Sequence, residues 1–236
     1  MILKRQITNI GKFAFINLAN LCSLLGVLPF LFLLSSDGFK YLPVLIIYNN
    51  VLDDLDGFVA KKLGIQSRLG AIFDNLCDVI AHTVVVWVVA THYSGLVLAC
   101  ALIATISIII RVAKRIEDVS GASWGSPTNE LMRHTLFLLL LEGFFKIEID
   151  SYLAFVFLIH SFSLLIPYKM PHMIRSRVNS FMGIFLVNFL LVMAWQFSIT
   201  LPFITFAFVM TYLYSLFVEG INWIRYREIK TGSLAN

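Results

Sequence analysis

Eight runs of mostly apolar residues, roughly 14–35, 40–60, 70–92, 95–113, 131–147, 151–168, 178–198 and 201–224, leave this chain few folds to choose from. Each is near the ~20 residues that cross a bilayer as a helix. A backbone inside hydrocarbon has to satisfy its own N–H and C=O groups, so runs of this length imply helices. Composition points the same way. The chain is 59% hydrophobic and 14% charged with mean hydropathy +0.85, against about 25% charged residues in soluble domains. The expectation is an all-α integral membrane protein, a polytopic bundle of about eight transmembrane helices, forming a single membrane-embedded domain over residues 1–236. The fifth and sixth runs are the least distinct, being short and divided only by the patch Lys146, Glu148 and Asp150.

Placing the loops alternately on two sides puts all but Lys40 and Lys146 of the 18 lysines and arginines on one side. Positive charge marks the cytoplasmic side of a membrane protein, so both termini and the loop from Lys61 to Arg68 are expected in the cytoplasm, with the protein in the inner membrane. The net charge of +4 then describes a face suited to anionic lipid headgroups. No soluble basic module is long enough for nucleic acid. Residues 2–13 carry Ile2, Leu3, Ile7, Ile10 and Phe13 among Lys4, Arg5 and Lys12, a pattern for a short interfacial helix. Cys22, Cys77 and Cys100 fall in apolar runs without metal-ligand spacing and read as reduced packing residues.

Five of the 14 acidic residues, Asp53, Asp54, Asp56, Asp74 and Asp78, sit inside these apolar runs. Carboxylates in a membrane segment are costly, and their default reading is functional. Asp53 and Asp56 are three residues apart and Asp74 and Asp78 four, so each pair shares one helix face. Asp54 is turned about a quarter of a circle from Asp53. The loop makes the two helices antiparallel neighbours, with both pairs close to one membrane surface. Gathered carboxylates repel unless cations neutralise them, and oxygen-only ligands favour Mg²⁺, Mn²⁺ or Ca²⁺. Gly57, Ala60 and Gly70 leave room beside the acids. A phosphate-bearing substrate at the cytoplasmic surface fits this pattern; so does a cation- or proton-coupled transporter, since such acids also line ion pathways.

The motif Asp53, Asp56, Gly57, Ala60, Lys61, Gly70, Asp74 and Asp78, spanning residues 53–78, resembles the signature of the CDP-alcohol phosphotransferases (CDP-alcohol phosphatidyltransferases) at every interval, with Lys61 where that family has Arg. The resemblance implies phospholipid biosynthesis by transfer of a phosphatidyl group from CDP-diacylglycerol to a small alcohol, with release of CMP. It implies two ions, Mg²⁺ or Mn²⁺, held by Asp53, Asp56 and Asp74. Asp78 is then the general base and a further metal contact. Gly57, Ala60, Lys61 and Gly70 are implied at the nucleotide and diphosphate, and a homodimer in the membrane is implied as the assembly. Lys61 keeps the charge of the family's Arg but not its bidentate fork. Asn17, Asn20 and Ser23 resemble polar positions on the first span of family members and are candidates to hold the nucleotide.

The acceptor is less legible. Arg111, Lys114, Arg115 and Arg133 are candidates for an acceptor or headgroup pocket, though a positive-inside bias also places them on this side. Eight spans, against six in the family's core, resemble its phosphatidylserine and phosphatidylcholine synthases, and the segment from Gly125 to Asn129 resembles a Pro-containing loop of serine-using members. Serine is therefore the expected acceptor, with glycerol 3-phosphate, inositol, inositol phosphate and choline as alternatives. His82, one turn after Asp78, is expected to make an interior helix-to-helix hydrogen bond, and His134 to be a solvated interface residue.

Overall fold

The computed structural model describes residues 17–93, 95–117, 124–170 and 180–232; the interfacial helix expected at 2–13 lies outside them. The described residues form eight α-helices and no strand: α1 (Leu18–Val27), α2 (Leu42–Leu63), α3 (Arg68–His92), α4 (Gly95–Glu117), α5 (Thr128–Phe145), α6 (Asp150–Leu165), α7 (Ser180–Gln196) and α8 (Leu201–Gly232). They correspond one to one with the apolar runs. Three of them, α3, α4 and α8, are long and apolar enough by themselves to cross a membrane. The others depart from that standard for visible reasons. Helices α2 and α5 are interrupted by charge, with Asp53, Asp54 and Asp56 in one and Glu130, Arg133 and Glu142 in the other. The apolar helices at Leu18–Leu34, Asp150–Leu165 and Phe181–Gln196 fall short of 18 residues.

The first run does not stay α-helical. It passes into a 3-10 helix at Leu28–Leu34, which opens on Pro29. Proline has no N–H to donate and its ring crowds the carbonyl four residues back, so the α-helix ends there. The chain between α5 and α6 turns at Lys146, whose φ of 56° is left-handed, with its N–H returned to Glu142 O at 2.9 Å. At that same end of the bundle Tyr93 donates to Glu142. Burial first, and then this carboxylate, hold the Tyr93 phenol above its ordinary range.

The buried core runs through α2 to α8, and residues such as Ala81, Ala90, Ala101, Ala104 and Val97 within it are almost wholly enclosed. Close packing of small residues is what holds helices together where lipid is as apolar as the side chains. Helix α4 packs most extensively on α6, and α1 on α2. At the α1–α2 contact a Cβ on Gly26 would lie 3.3 Å from Leu52 Cβ, and Asn49 donates to Gly26 O at 3.4 Å. That close approach brings Ser23, one turn earlier on α1, onto the acidic stretch of α2.

Candidate active site

The acidic hairpin is built by its turn. Gly64 caps α2 with a left-handed φ of 65°, its N–H directed to the carbonyls of Ala60 and Lys61. Such a cap favours glycine because Cβ is disfavoured there. Three residues later Ser67 begins α3 as its N-cap, accepting from Gly70 N–H at 3.0 Å. Gly70 thus has two constraints at once: a Cβ there would meet Ser67 Oγ at 3.0 Å and Asn20 Oδ1 at 3.2 Å. The short turn sets α2 and α3 antiparallel with their acids level.

Asp53, Asp56 and Asp74 each present a carboxylate oxygen, and these three atoms lie within 4.8 Å of one another. Asp78, one turn further along α3, is buried and in electrostatic contact with Asp53, Asp74 and Arg115. Asp54 points elsewhere. It is 1% exposed and accepts from Asn188 Nδ2 of α7 at 2.9 Å and from Asn50 Nδ2 at 3.4 Å. Asn50 in turn accepts from Arg133 Nε at 2.9 Å, and Arg133 pairs with Glu130 at 2.9 Å. This buried network ties α2, α5 and α7, and holds α2 at the rotation that turns Asp53 and Asp56 toward α3.

Two neutral side chains brace the trio. Ser23 of α1 donates to Asp56. Asn129 of α5 donates from Nδ2 to Asp53 Oδ2 at 2.5 Å. His82 is buried beside Asp53 and Asn129. Neither Asn129 nor Asn188 is singled out as a site residue by sequence reasoning. The available signal for Asn188 is its isolation: an amide in the middle of the apolar stretch from Phe181 to Trp195 implies a buried partner. His134 requires a correction. It is buried, with Nδ1 at 2.8 Å from His160 Nε2, because α5 turns this face toward α6 and away from water.

Two cavities open at this end of the bundle, one of them against the acids. The first, of about 170 Å³, is lined by Asn20, Ser23, Asp56, Gly57, Ala60, Ser67, Gly70 and Asp74, among others from α1, α2 and α3. Gly57 has nothing within 4 Å of where a Cβ would stand, so its missing side chain is open space in this cleft. Asn17 supports the cleft indirectly, accepting from Asn20 Nδ2 at 3.1 Å. Lys61 follows on α2 as an exposed residue outside the lining. The second cavity, about 80 Å³, is lined by Arg111, Lys114, Arg115, Trp124, Leu164, Leu165 and Pro167. Three of the four candidate cations therefore meet in one place, and Arg133 is in the buried network instead.

The donor set suits a hard divalent cation: all oxygen, closely spaced, with Asp53 and Asp74 only partly buried. An α-helical membrane protein with a carboxylate trio beside a cleft that stays open at Gly57 has the parts to hold a divalent cation next to a bound ligand. The sequence profile of the CDP-alcohol phosphatidyltransferases matches residues 16–223, and the chain belongs to that family. No curated protein matches it. Members of the family transfer substituted phosphate groups from CDP-alcohol donors to alcohol acceptors in membranes, typically with divalent metals, and so act in phospholipid biosynthesis. Membership in a transferase family sets aside the transporter reading.

Proposed function

We propose that this enzyme transfers the phosphatidyl group of CDP-diacylglycerol to a small alcohol, with serine as the first candidate. The observation that carries this reading is the convergence of Asp53, Asp56 and Asp74 within 4.8 Å at a cleft lined by Gly57, Ala60 and Gly70. The first cleft would take the nucleotide and diphosphate, with Asn20 and Ser23 on its far wall and Lys61 at its edge toward the lipid headgroups. Asp53, Asp56 and Asp74 would hold two ions per site, Mg²⁺ or Mn²⁺, with Asp78 within reach of the same charge. When bound, the ions supply neutralisation of the diphosphate and of the charge that develops on departing CMP.

Asp78 acts as the general base. The acceptor hydroxyl gives its proton to the Asp78 carboxylate as its oxygen forms a bond to the lipid-side phosphorus, and the bond from that phosphorus to the CMP oxygen breaks. Burial of Asp78 keeps bulk water from competing for the same step. The acceptor would enter from the basic cavity. Arg111 is 6% exposed there, and its Nε has no hydrogen-bond partner among the described residues. A buried guanidinium with an unused donor suits an acceptor that brings an anionic group, and the serine carboxylate is one. The positive charge gathered at this end of the bundle supports a cytoplasmic site in the inner membrane, and family resemblance supports a homodimer.

The test is CMP release by purified protein from CDP-diacylglycerol with each of serine, glycerol 3-phosphate, inositol, inositol phosphate and choline. Serine is expected to stimulate release and the others not to. Stimulation by a phosphorylated acceptor alone overturns the serine assignment while keeping the chemistry.

A further inference from the structure

Asn129 stands apart from the rest of the acidic site in where it comes from. Asp53, Asp56, Asp74 and Asp78 belong to one hairpin, but Asn129 arrives from 76 residues away at the start of α5. It does not serve as that helix's cap: the N-cap is Pro127, and Asn129 lies inside the first turn. Its side chain is 9% exposed and reaches Asp53 Oδ2 at 2.5 Å. We infer that Asn129 is a positioning residue, which orients the Asp53 carboxylate for cation binding; the inference rests on the metal-binding role proposed above.

The chemistry favours an amide at this place. A carboxylate oxygen that accepts an amide hydrogen bond has one lone pair fewer to offer, and its rotation about the Cβ–Cγ bond is restrained. Partners of this kind orient ligating carboxylates and raise metal affinity. Asn also donates without adding charge. An acid here would bring a further negative group to a site that already gathers Asp53, Asp56, Asp74 and Asp78.

The backbone before Asn129 is held firmly enough to aim it. Gly125 has φ 72°, and a Cβ on it would collide with the backbone of Leu164. Its N–H donates to Tyr168 O at 2.9 Å and its carbonyl accepts from Met170 N at 3.3 Å. Ser126 N–H donates to Ser163 O at 2.9 Å, and the two serine hydroxyls lie 2.8 Å apart. Tyr212 of α8 donates to Ser163 Oγ at 2.7 Å. The end of α6 and α8 together clamp the segment that delivers Asn129. The same segment carries Trp124 into the basic cavity, and Leu164 lines that cavity too. One clamp therefore sets both the acceptor side and the first carboxylate.

The experiment uses full-length protein in detergent, stripped with EDTA, and follows Mn²⁺ binding by electron paramagnetic resonance. Wild type, Asn129→Ala, Asn129→Asp and Asp74→Asn are compared, with melting temperature measured in EDTA. Asn129→Ala is expected to weaken Mn²⁺ binding about 10–100-fold and to change the bound-Mn²⁺ line shape, with the metal-free melting temperature held. Asn129→Asp, of equal size but unable to donate in its ionised form, is expected not to restore the wild-type line shape. Unchanged affinity and line shape in Asn129→Ala, alongside loss of binding in Asp74→Asn, overturns the positioning role alone. Wild-type protein that binds no Mn²⁺ overturns the metal reading as well.

Discussion

Gly57 shows how one missing side chain separates stability from function. It lies inside α2, where glycine costs about 0.5–1 kcal/mol relative to alanine, and a Cβ there meets nothing within 4 Å. Gly57→Ala is therefore expected to hold or raise the melting temperature while raising KM for the CDP-linked donor, because the added methyl enters the cleft. A fall in melting temperature with unchanged KM would contradict that account. Asp78→Asn is expected to lower kcat by about 10²–10⁴-fold, the usual worth of a general base, measured as CMP release at saturating acceptor. Asn188→Ala removes a donor from buried Asp54, and is expected to cost about 1–3 kcal/mol in thermal or denaturant unfolding. Much of this residue-scale picture is legible in the chain. The spacings of three and four residues place the acids on common faces, and the small residues mark the cleft. Asn129 and Asn188 are not legible as partners of Asp53 and Asp54, since contacts 76 and 134 residues apart leave no periodic trace.

At the scale of elements, the turn chemistry explains why two helices become one site. Gly64 closes α2, Ser67 opens α3, and the carboxylates meet because the connection is so short. The clamp before α5 is the counterpart on the other side of the site. Tyr168 donates to Leu216 O at 2.8 Å and secures the chain beside that clamp. Gly125→Ala is expected to lower the melting temperature by more than any other glycine-to-alanine change on this side, because it meets both a left-handed φ and the Leu164 backbone. A melting temperature within a degree or so of wild type would show that the segment yields. The helices themselves follow from the apolar runs. Their internal changes do not all follow: the 3-10 stretch at Leu28–Leu34 comes from Pro29 acting within a run that otherwise reads as one helix.

For the whole molecule, the bundle gathers its chemistry at one end. The C-terminal parts of α2 and α4 and the N-terminal parts of α3 and α5 carry the acids, the basic cavity and Asn129. Cysteines introduced at Gln66 and Glu148, in a chain whose native cysteines are replaced, are expected to react with an impermeant thiol reagent from the cytoplasmic and the opposite face respectively; labelling of both from one face would contradict the orientation. Fold class was legible because hydrocarbon leaves helices as the main solution for such runs. Beyond the α2–α3 hairpin, which helices neighbour one another was not, since lipid-facing and helix-facing apolar residues look alike in sequence. The central claim, that the trio of carboxylates carries phosphatidyl transfer, is tested most directly by titrating Mn²⁺ into EDTA-stripped enzyme while CMP release from CDP-diacylglycerol and serine is followed, in wild type and in Asp74→Asn. The account predicts release that requires the ion and is lost in Asp74→Asn. Release that persists in EDTA, or survives in Asp74→Asn at the wild-type rate, would contradict it.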